Sequence, residues 1–285
     1  MKNILIKIYL KGLLMNLNNI ILGDTLKTLK TLESDSIDMG VTSPPYNKLG
    51  KKNNGWLVNN LEYNTFDDNL PEDVYQQNQI DVLNELYRII KPGGSFFYNH
   101  KLRWNKGYMI HPMDWLRKTD WVIRQEIIWN RKIASNIRGF RFWQIDERIY
   151  WLYKSIDKNL IGKELKSKHS LLTDIWEIRP EMKSNHPAPF PLEIPLRCIY
   201  SILDDTTDNI VIDPYIGSGT TAVACKFLNQ NYIGIDCSQE YIDMANYRIN
   251  NYINEKDTFD KEMALHIVKE TFAERKAKGK WKNKV

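Results

Sequence analysis

Short apolar runs alternate along the chain with stretches of helical spacing, and glycine, proline or acidic turns separate most of them. Residues 19–22 (NIIL) form an apolar run closed by Gly23-Asp24, which predicts a strand and a turn. Residues 25–32 have helical spacing. Residues 36–41 (SIDMGV) predict a second strand, which runs straight into Thr42-Ser43-Pro44-Pro45-Tyr46. Two consecutive prolines stop a strand, so Ser43 to Tyr46 belong at its carboxyl end. Residues 48–64 are rich in Asn, Gly and Lys and predict a long surface loop, with Asn47 as its cap. Residues 72–90 predict a helix with an apolar face at Val74, Leu83, Leu86 and Ile90. Lys91-Pro92-Gly93-Gly94 should end that helix, before a strand at 95–98.

The second half repeats the pattern. A short helix is expected at 114–118 and strands at 121–129 and 149–153. Residues 155–184 are polar and lysine-rich with weak periodicity, and read as an insertion. A proline-punctuated segment, 186–195, feeds a helix to about residue 203. A buried-type strand at 209–212 leads into a glycine-rich turn, a helix at 221–228, a strand at 232–235 and a helix at 239–252. This alternation predicts an α/β fold, a doubly wound and mostly parallel sheet. The expected organisation is an N-terminal arm at 1–18, a main domain at 19–252 and a basic helical tail at 253–285, with Met15 as an alternative start to Met1.

Composition narrows the class. A chain of 285 residues with 42% hydrophobic and 26% charged residues can bury a full core, which argues against disorder. Its apolar runs fall far short of the roughly 20 residues that a membrane-spanning helix needs. Cys198, Cys225 and Cys237 show no metal-ligand spacing and cannot all pair, so free thiols in a reducing compartment, the cytoplasm, are expected. The net charge of +5 permits a polyanionic partner without requiring one.

Two motifs carry chemistry. Asp213-Pro214-Tyr215-Ile216-Gly217-Ser218-Gly219-Thr220-Thr221 lies between a strand and a helix, and Asp236 ends the next strand. Glycines let backbone approach a ligand, and an acid at that strand end suits ribose hydroxyls. The turn lacks GxGxxG and a P-loop lysine, so a pyrophosphate ligand is not favoured. Ser43-Pro44-Pro45-Tyr46 sits at another strand end, where ligands bind in such sheets.

TSPPYN and DPYIGSGTT together resemble the amino-directed DNA methyltransferases that use S-adenosylmethionine. KPGGSFF, EIIWNRK, RGFRFWQIDERIYWLYK and HPAPFP add to the resemblance, which spans about 19–250. The order, with the catalytic motif first and the cofactor turn last, resembles the permuted β group. The resemblance implies that Ser43, Pro44, Pro45 and Tyr46 are catalytic and that the 213–221 turn (Asp213, Pro214, Tyr215, Gly217, Ser218, Gly219, Thr220, Thr221) holds S-adenosylmethionine. Asp236 would take its ribose, Asp24 would lie near its adenine, and His186, Pro187 and Phe190 would flank its methionine part.

The implied reaction is methyl transfer to an exocyclic base amine in double-stranded DNA, after the base has been flipped out of the duplex. SPPY resembles the cytosine-N4 enzymes; adenine N6 is the alternative, and an RNA methyltransferase or an inactive DNA-binding protein are further ones. Carbon-5 methylation needs a Pro-Cys nucleophile, and no cysteine here follows a proline. Arg131, Lys132, Arg138, Arg141 and Arg148, interleaved with aromatics, are expected to meet DNA, and 131–185 to contain the target-recognition region. The resemblance further implies the modification half of a restriction–modification pair, with a cognate endonuclease and a homodimer as expected partners, no membrane and no metal.

Overall fold

The computed structural model describes residues 7–10, 13–47, 68–134, 139–156, 172–181, 190–203, 208–266 and 277–279, with only the backbone of 7–16. An antiparallel hairpin of β1 (Lys7–Leu10) and β2 (Leu13–Asn16) precedes β3 (Asn19–Leu22), α1 (Thr25–Leu29) and β4 (Ile37–Thr42). Next come α2 (Glu72–Ile89), β5 (Ile90–His100), a small hairpin of β6 (Arg103–Asn105) and β7 (Tyr108–Ile110), and α3 (Met113–Leu116). β8 (Val122–Asn130), β9 (Asp146–Tyr153) and β10 (Ile175–Glu177) follow. The chain continues through α4 (Glu193–Ile202), β11 (Ile210–Asp213), α5 (Thr220–Phe227), β12 (Asn231–Asp236), α6 (Gln239–Asn250), a 3₁₀ turn (Tyr252–Glu255) and α7 (Lys256–Leu265).

Eight strands form one sheet in the order β10-β8-β9-β5-β4-β11-β12-β3. Its pairings are parallel except for those of β9, which runs antiparallel to both β5 and β8. Burial explains the strand sequences: β11 (IVID) is buried throughout, as expected of a strand covered on both faces. One apolar cluster, with Leu83, Phe96 and Ile212, packs on the side of α1, α2 and α3; the other, with Val41, Val211 and Ile199, packs on the side of α4 to α7. The expected doubly wound α/β fold is therefore what the chain adopts.

β4 and β11 are neighbours, yet the chain leaves β4 for β5 on one side and leaves β11 for β12 on the other. That reversal is a topological switch point, and the carboxyl ends of its strands open a crevice. Antiparallel β9 matters for the same edge, because its first residues lie beside the last residues of β5.

Several expectations need correction. Lys91-Pro92-Gly93-Gly94 does not separate helix from strand, since β5 begins at Ile90. The register shifts between Ile37↔Ile90 and Met39↔Ser95, so the segment is a bulge, with Gly93 at φ +86° supplying a left-handed residue. Val74, expected on the buried face of α2, is exposed, and Tyr75, Gln79 and Val82 are buried in its place. Residues 175–177, expected within an insertion, form the edge strand β10. Residues 256–265, within the segment expected to be a helical tail, do form a helix, α7, which packs against α4, where Glu262 pairs with Arg197 through two hydrogen bonds of 2.7 and 2.8 Å. No helix among the described residues is long and apolar enough to cross a membrane.

Candidate active site

The crevice holds a cavity of about 450 Å³, within the range of small-ligand pockets. Ser43, Pro44, Pro45 and Tyr46 line one part of it, and Tyr215, Gly217, Ser218, Thr220 and Asp236 line another. Asp24 and Phe190 complete the set of expected residues found in its wall. The two sequence motifs, far apart in the chain, thus share one cavity.

Asp213 is placed behind that wall. It is buried, and its Oδ1 accepts from the Thr42 hydroxyl at 2.7 Å and the Tyr215 N–H at 3.1 Å. Its Oδ2 accepts from Thr221 at 2.5 Å. Burial pushes its pKa up to about 6 against the opposing pull of these hydrogen bonds. Pro214, Gly219 and Thr221 also stand outside the cavity wall. The Pro214 carbonyl accepts from Thr25, and Gly219 takes φ +82°, where an added Cβ would sit 2.9 Å from that of Ala245. Arg248 clamps the turn by donating to Ser218 at 3.2 Å and Thr220 at 2.8 Å.

Asp236, at the end of β12, accepts from Gly217 N–H at 3.0 Å and Ser238 N–H at 2.9 Å, one on each oxygen. Asp236 lines the cavity, where its carboxylate can accept from a ligand hydroxyl. Burial raises its pKa, and backbone N–H groups oppose the rise. Asp24 caps α1 by accepting from Lys27 N–H at 2.9 Å.

Strand register assembles the other half. Thr42 pairs with Tyr98, which brings Ser43 beside Asn99; Asn99 and His100 pair with Ile149 and Arg148, which brings Glu147 to the same place. The Tyr46 hydroxyl lies 2.7 Å from Ser43 Oγ and donates to Glu147 Oε2 at 2.8 Å. Asn99 Nδ2 reaches Ser43 Oγ at 3.2 Å, the Tyr46 hydroxyl at 2.7 Å and Glu147 Oε2 at 3.0 Å. Lys101 Nζ stands 5.3 Å from the centre of the Tyr46 ring, its pKa lowered by desolvation and partly restored by Glu147. Tyr75 donates to the Pro45 carbonyl at 2.8 Å, and Asn47, at φ +56°, hydrogen-bonds to Asp68 and Leu70.

Sequence reasoning missed Asn99, Glu147 and the α2 stripe of Tyr75, Asn78, Gln79 and Val82, whose i, i+3, i+4, i+7 spacing faces one way and lines the cavity. That spacing was a usable signal. A further one was the polar pair Asn99-His100 ending the apolar FFY of β5.

The expected DNA-facing cations are less free than their sequence suggests. Arg131 donates to Glu147 at 3.1 Å, and Arg148 pairs with Glu126 and Asp146 at 3.3 and 3.2 Å. Lys132 pairs with Glu177, and the Arg141 guanidinium stacks 3.9 Å from the centre of the Trp104 ring. Phe140, Phe142 and Trp143, beside Arg141 in the sequence, are exposed, as are Tyr108 and Met109 of β7. Arg138, His186 and Pro187 lie outside the described residues. Cys198 and Cys225 are buried and Cys237 is exposed, and the three are not joined in a disulfide.

The model of a family described as DNA methylase matches residues 37–247. The Type II methyltransferase M.HpaI of Haemophilus parainfluenzae is 30% identical over 267 residues, 86% of this chain and 78% of that protein. The Type II methyltransferase M.SmaI of Serratia marcescens is 26% identical, over 81% of this chain and 90% of its own. Among solved structures, a PvuII DNA methyltransferase described as cytosine-N4-specific superposes with a TM-score of 0.65 at 20% identity, covering 87% of this chain and 92% of its own. A Thermus thermophilus protein solved in complex with S-adenosyl-L-methionine gives 0.61 at 20% identity, covering 82% and 94%.

Proposed function

We propose that this chain, which belongs to the DNA methylase family, transfers a methyl group from S-adenosylmethionine to the N4 amine of a cytosine in double-stranded DNA. The observation that carries the reading is the single cavity lined by both the Ser43–Tyr46 segment and the glycine turn with Asp236. A methyl donor and an acceptor amine held in one cavity react by direct displacement, and positioning supplies much of the acceleration.

The residues fit the donor. Asp236 offers carboxylate lone pairs to the ribose hydroxyls, Asp24 stands at the rim for the adenine, and Phe190 and Ile216 supply apolar wall. When bound, S-adenosylmethionine supplies a methyl on a positively charged sulfur: the new N–C bond forms as the S–C bond breaks, leaving a neutral thioether. The rest falls to the chain. The target amine is a weak nucleophile because its lone pair is delocalised into the ring. Hydrogen bonds from its N–H groups to Ser43 Oγ and the Pro44 carbonyl favour a pyramidal nitrogen with the lone pair free. The Tyr46 ring stacks on the flipped base. After transfer the nitrogen carries the positive charge and sheds one proton to water. No protein nucleophile takes part.

The choice of cytosine rests on serine at position 43, the form of the motif that the cytosine-N4 members carry in the family resemblance. The wet face around Arg141, Phe142 and Trp143 is the proposed DNA side, with exposed aromatics to fill the space of the flipped base. M.HpaI and M.SmaI are named Type II methyltransferases, which supports a place in a restriction–modification pair. The test is transfer of label from methyl-tritiated S-adenosylmethionine into unmethylated genomic DNA. The wild-type protein should label it and Ser43→Ala should not. Equal labelling by both would overturn the assignment of Ser43, and no labelling by the wild type would overturn the activity.

A further inference from the structure

We propose that Glu147 is a positioning residue that fixes the direction of hydrogen bonding through Tyr46 to Ser43, so that the serine meets the target amine as an acceptor. This rests on the reading of Ser43 given above and adds a residue to it.

The argument is a count of protons. Glu147 is buried at the start of β9, and its carboxylate can only accept. Oε1 receives Arg131 at 3.1 Å, and Oε2 receives the Tyr46 hydroxyl at 2.8 Å and Asn99 Nδ2 at 3.0 Å. The single hydroxyl proton of Tyr46 is therefore committed to Glu147. Its oxygen, 2.7 Å from Ser43 Oγ, is left to accept, so the single proton of Ser43 is committed to Tyr46. Asn99 Nδ2 has two protons for three acceptors, Ser43 Oγ, the Tyr46 hydroxyl and Glu147 Oε2, and shares them among the three; a donor facing these oxygens agrees with this polarity, and Glu147 fixes which end of the Asn99 carboxamide points at them.

A serine free to rotate can give its proton to the amine as easily as accept one. Donation would engage the lone pair that must attack, whereas acceptance draws on the N–H groups and leaves the lone pair free. The buried carboxylate removes the choice, and members of a chain of like-directed hydrogen bonds strengthen one another. A neutral serine thereby does the accepting work of a carboxylate without a charge beside the base. The side chains converge because β9 runs antiparallel and begins where β4 and β5 end.

Tyr46→Phe provides the test, because it keeps the stacking ring and the Arg131–Glu147 pair and removes only the linking hydroxyl. If stacking were the whole role of Tyr46, the single-turnover rate of methyl transfer would stay within about threefold of wild type. The proposal predicts a fall on the order of tenfold to a hundredfold, the range for loss of a hydrogen bond to a charged group. S-adenosylmethionine affinity and unfolding temperature should stay close to wild type. Glu147→Gln should slow transfer similarly, and adding it to Tyr46→Phe should cost little more, because both changes break one chain. A Tyr46→Phe enzyme at the wild-type rate, or multiplying effects in the double variant, overturns the proposal. An inactive wild-type protein instead overturns the methyltransferase reading.

Discussion

The Thr42 hydroxyl donates to Asp213 across 2.7 Å and so joins β4, which delivers Ser43, to β11, which delivers the glycine turn. Thr221 and the Tyr215 N–H meet the same carboxylate from the turn itself. Asp213 thus ties the catalytic segment to the cofactor wall from behind. Its carboxyl is pushed up to about 6 from 3.8, chiefly by burial. For a carboxyl with a raised folded-state pKa, stability is fully present below the unfolded value and is lost as pH rises through the folded one. Asp213→Asn should therefore become more stable relative to wild type between about pH 4 and pH 6, by roughly 3 kcal/mol, with no further change above. Denaturant unfolding of both proteins across that window measures the difference, and a constant difference would contradict the assignment.

Gly219 takes φ +82°, and a Cβ there would lie 2.9 Å from the Ala245 Cβ and 3.1 Å from its Cα. Gly219→Ala therefore meets both a left-handed backbone and a packed helix, costing about 1–2 kcal/mol in backbone strain alone. Because the neighbouring Gly217 and Ser218 line the cavity, S-adenosylmethionine binding should weaken by about tenfold or more, as a shift of 1.4 kcal/mol implies. Calorimetric titration would measure it.

Asp236→Ala removes the carboxylate proposed to take ribose hydroxyls and leaves the Gly217 and Ser238 N–H groups without it. A charged hydrogen bond is worth about 1.5–3 kcal/mol, so cofactor affinity should fall on the order of tenfold to a hundredfold. Unchanged affinity would remove Asp236 from the site.

Arg197 and Glu262 form a buried bidentate pair that fastens α7 to α4. Burial alone would raise the pKa of Glu262, and hydrogen bonds from Arg197 and His266 overcome that and lower it. Arg197→Leu leaves the buried carboxylate with His266 as its remaining partner and should cost about 3–5 kcal/mol, measured by denaturant unfolding at neutral pH. Neither residue lines the cavity, so cofactor affinity at a temperature where the variant is folded should be unchanged.

The buried parallel strands were legible because continuous apolar runs such as IVID and YIGI end in turn residues, and those ends carry the glycine turn and Asp236. What escaped was small or register-dependent. β6, β7 and β10 span three residues each, too short for a period to show. The bulge at Gly93 reads locally as a helix stop, and only pairing with β4 makes it part of a strand. Arg131 and Arg148 read as phosphate contacts because Glu147, the partner of Arg131, and Glu126, one partner of Arg148, come from another strand. Glu126 reaches Arg148 across the β8–β9 ladder, a relation no local pattern contains. Glu147 was hidden for the same reason, as its meaning depends on β9 being antiparallel beside β5.

The central claim is tested most directly by mass spectrometry of nucleosides from unmethylated duplex DNA of broad sequence content, after incubation with the protein and S-adenosylmethionine. N4-methylcytosine, absent when Ser43→Ala replaces the wild type, is the predicted product. N6-methyladenine would contradict the assignment of cytosine, and DNA with neither modified base would contradict the activity itself.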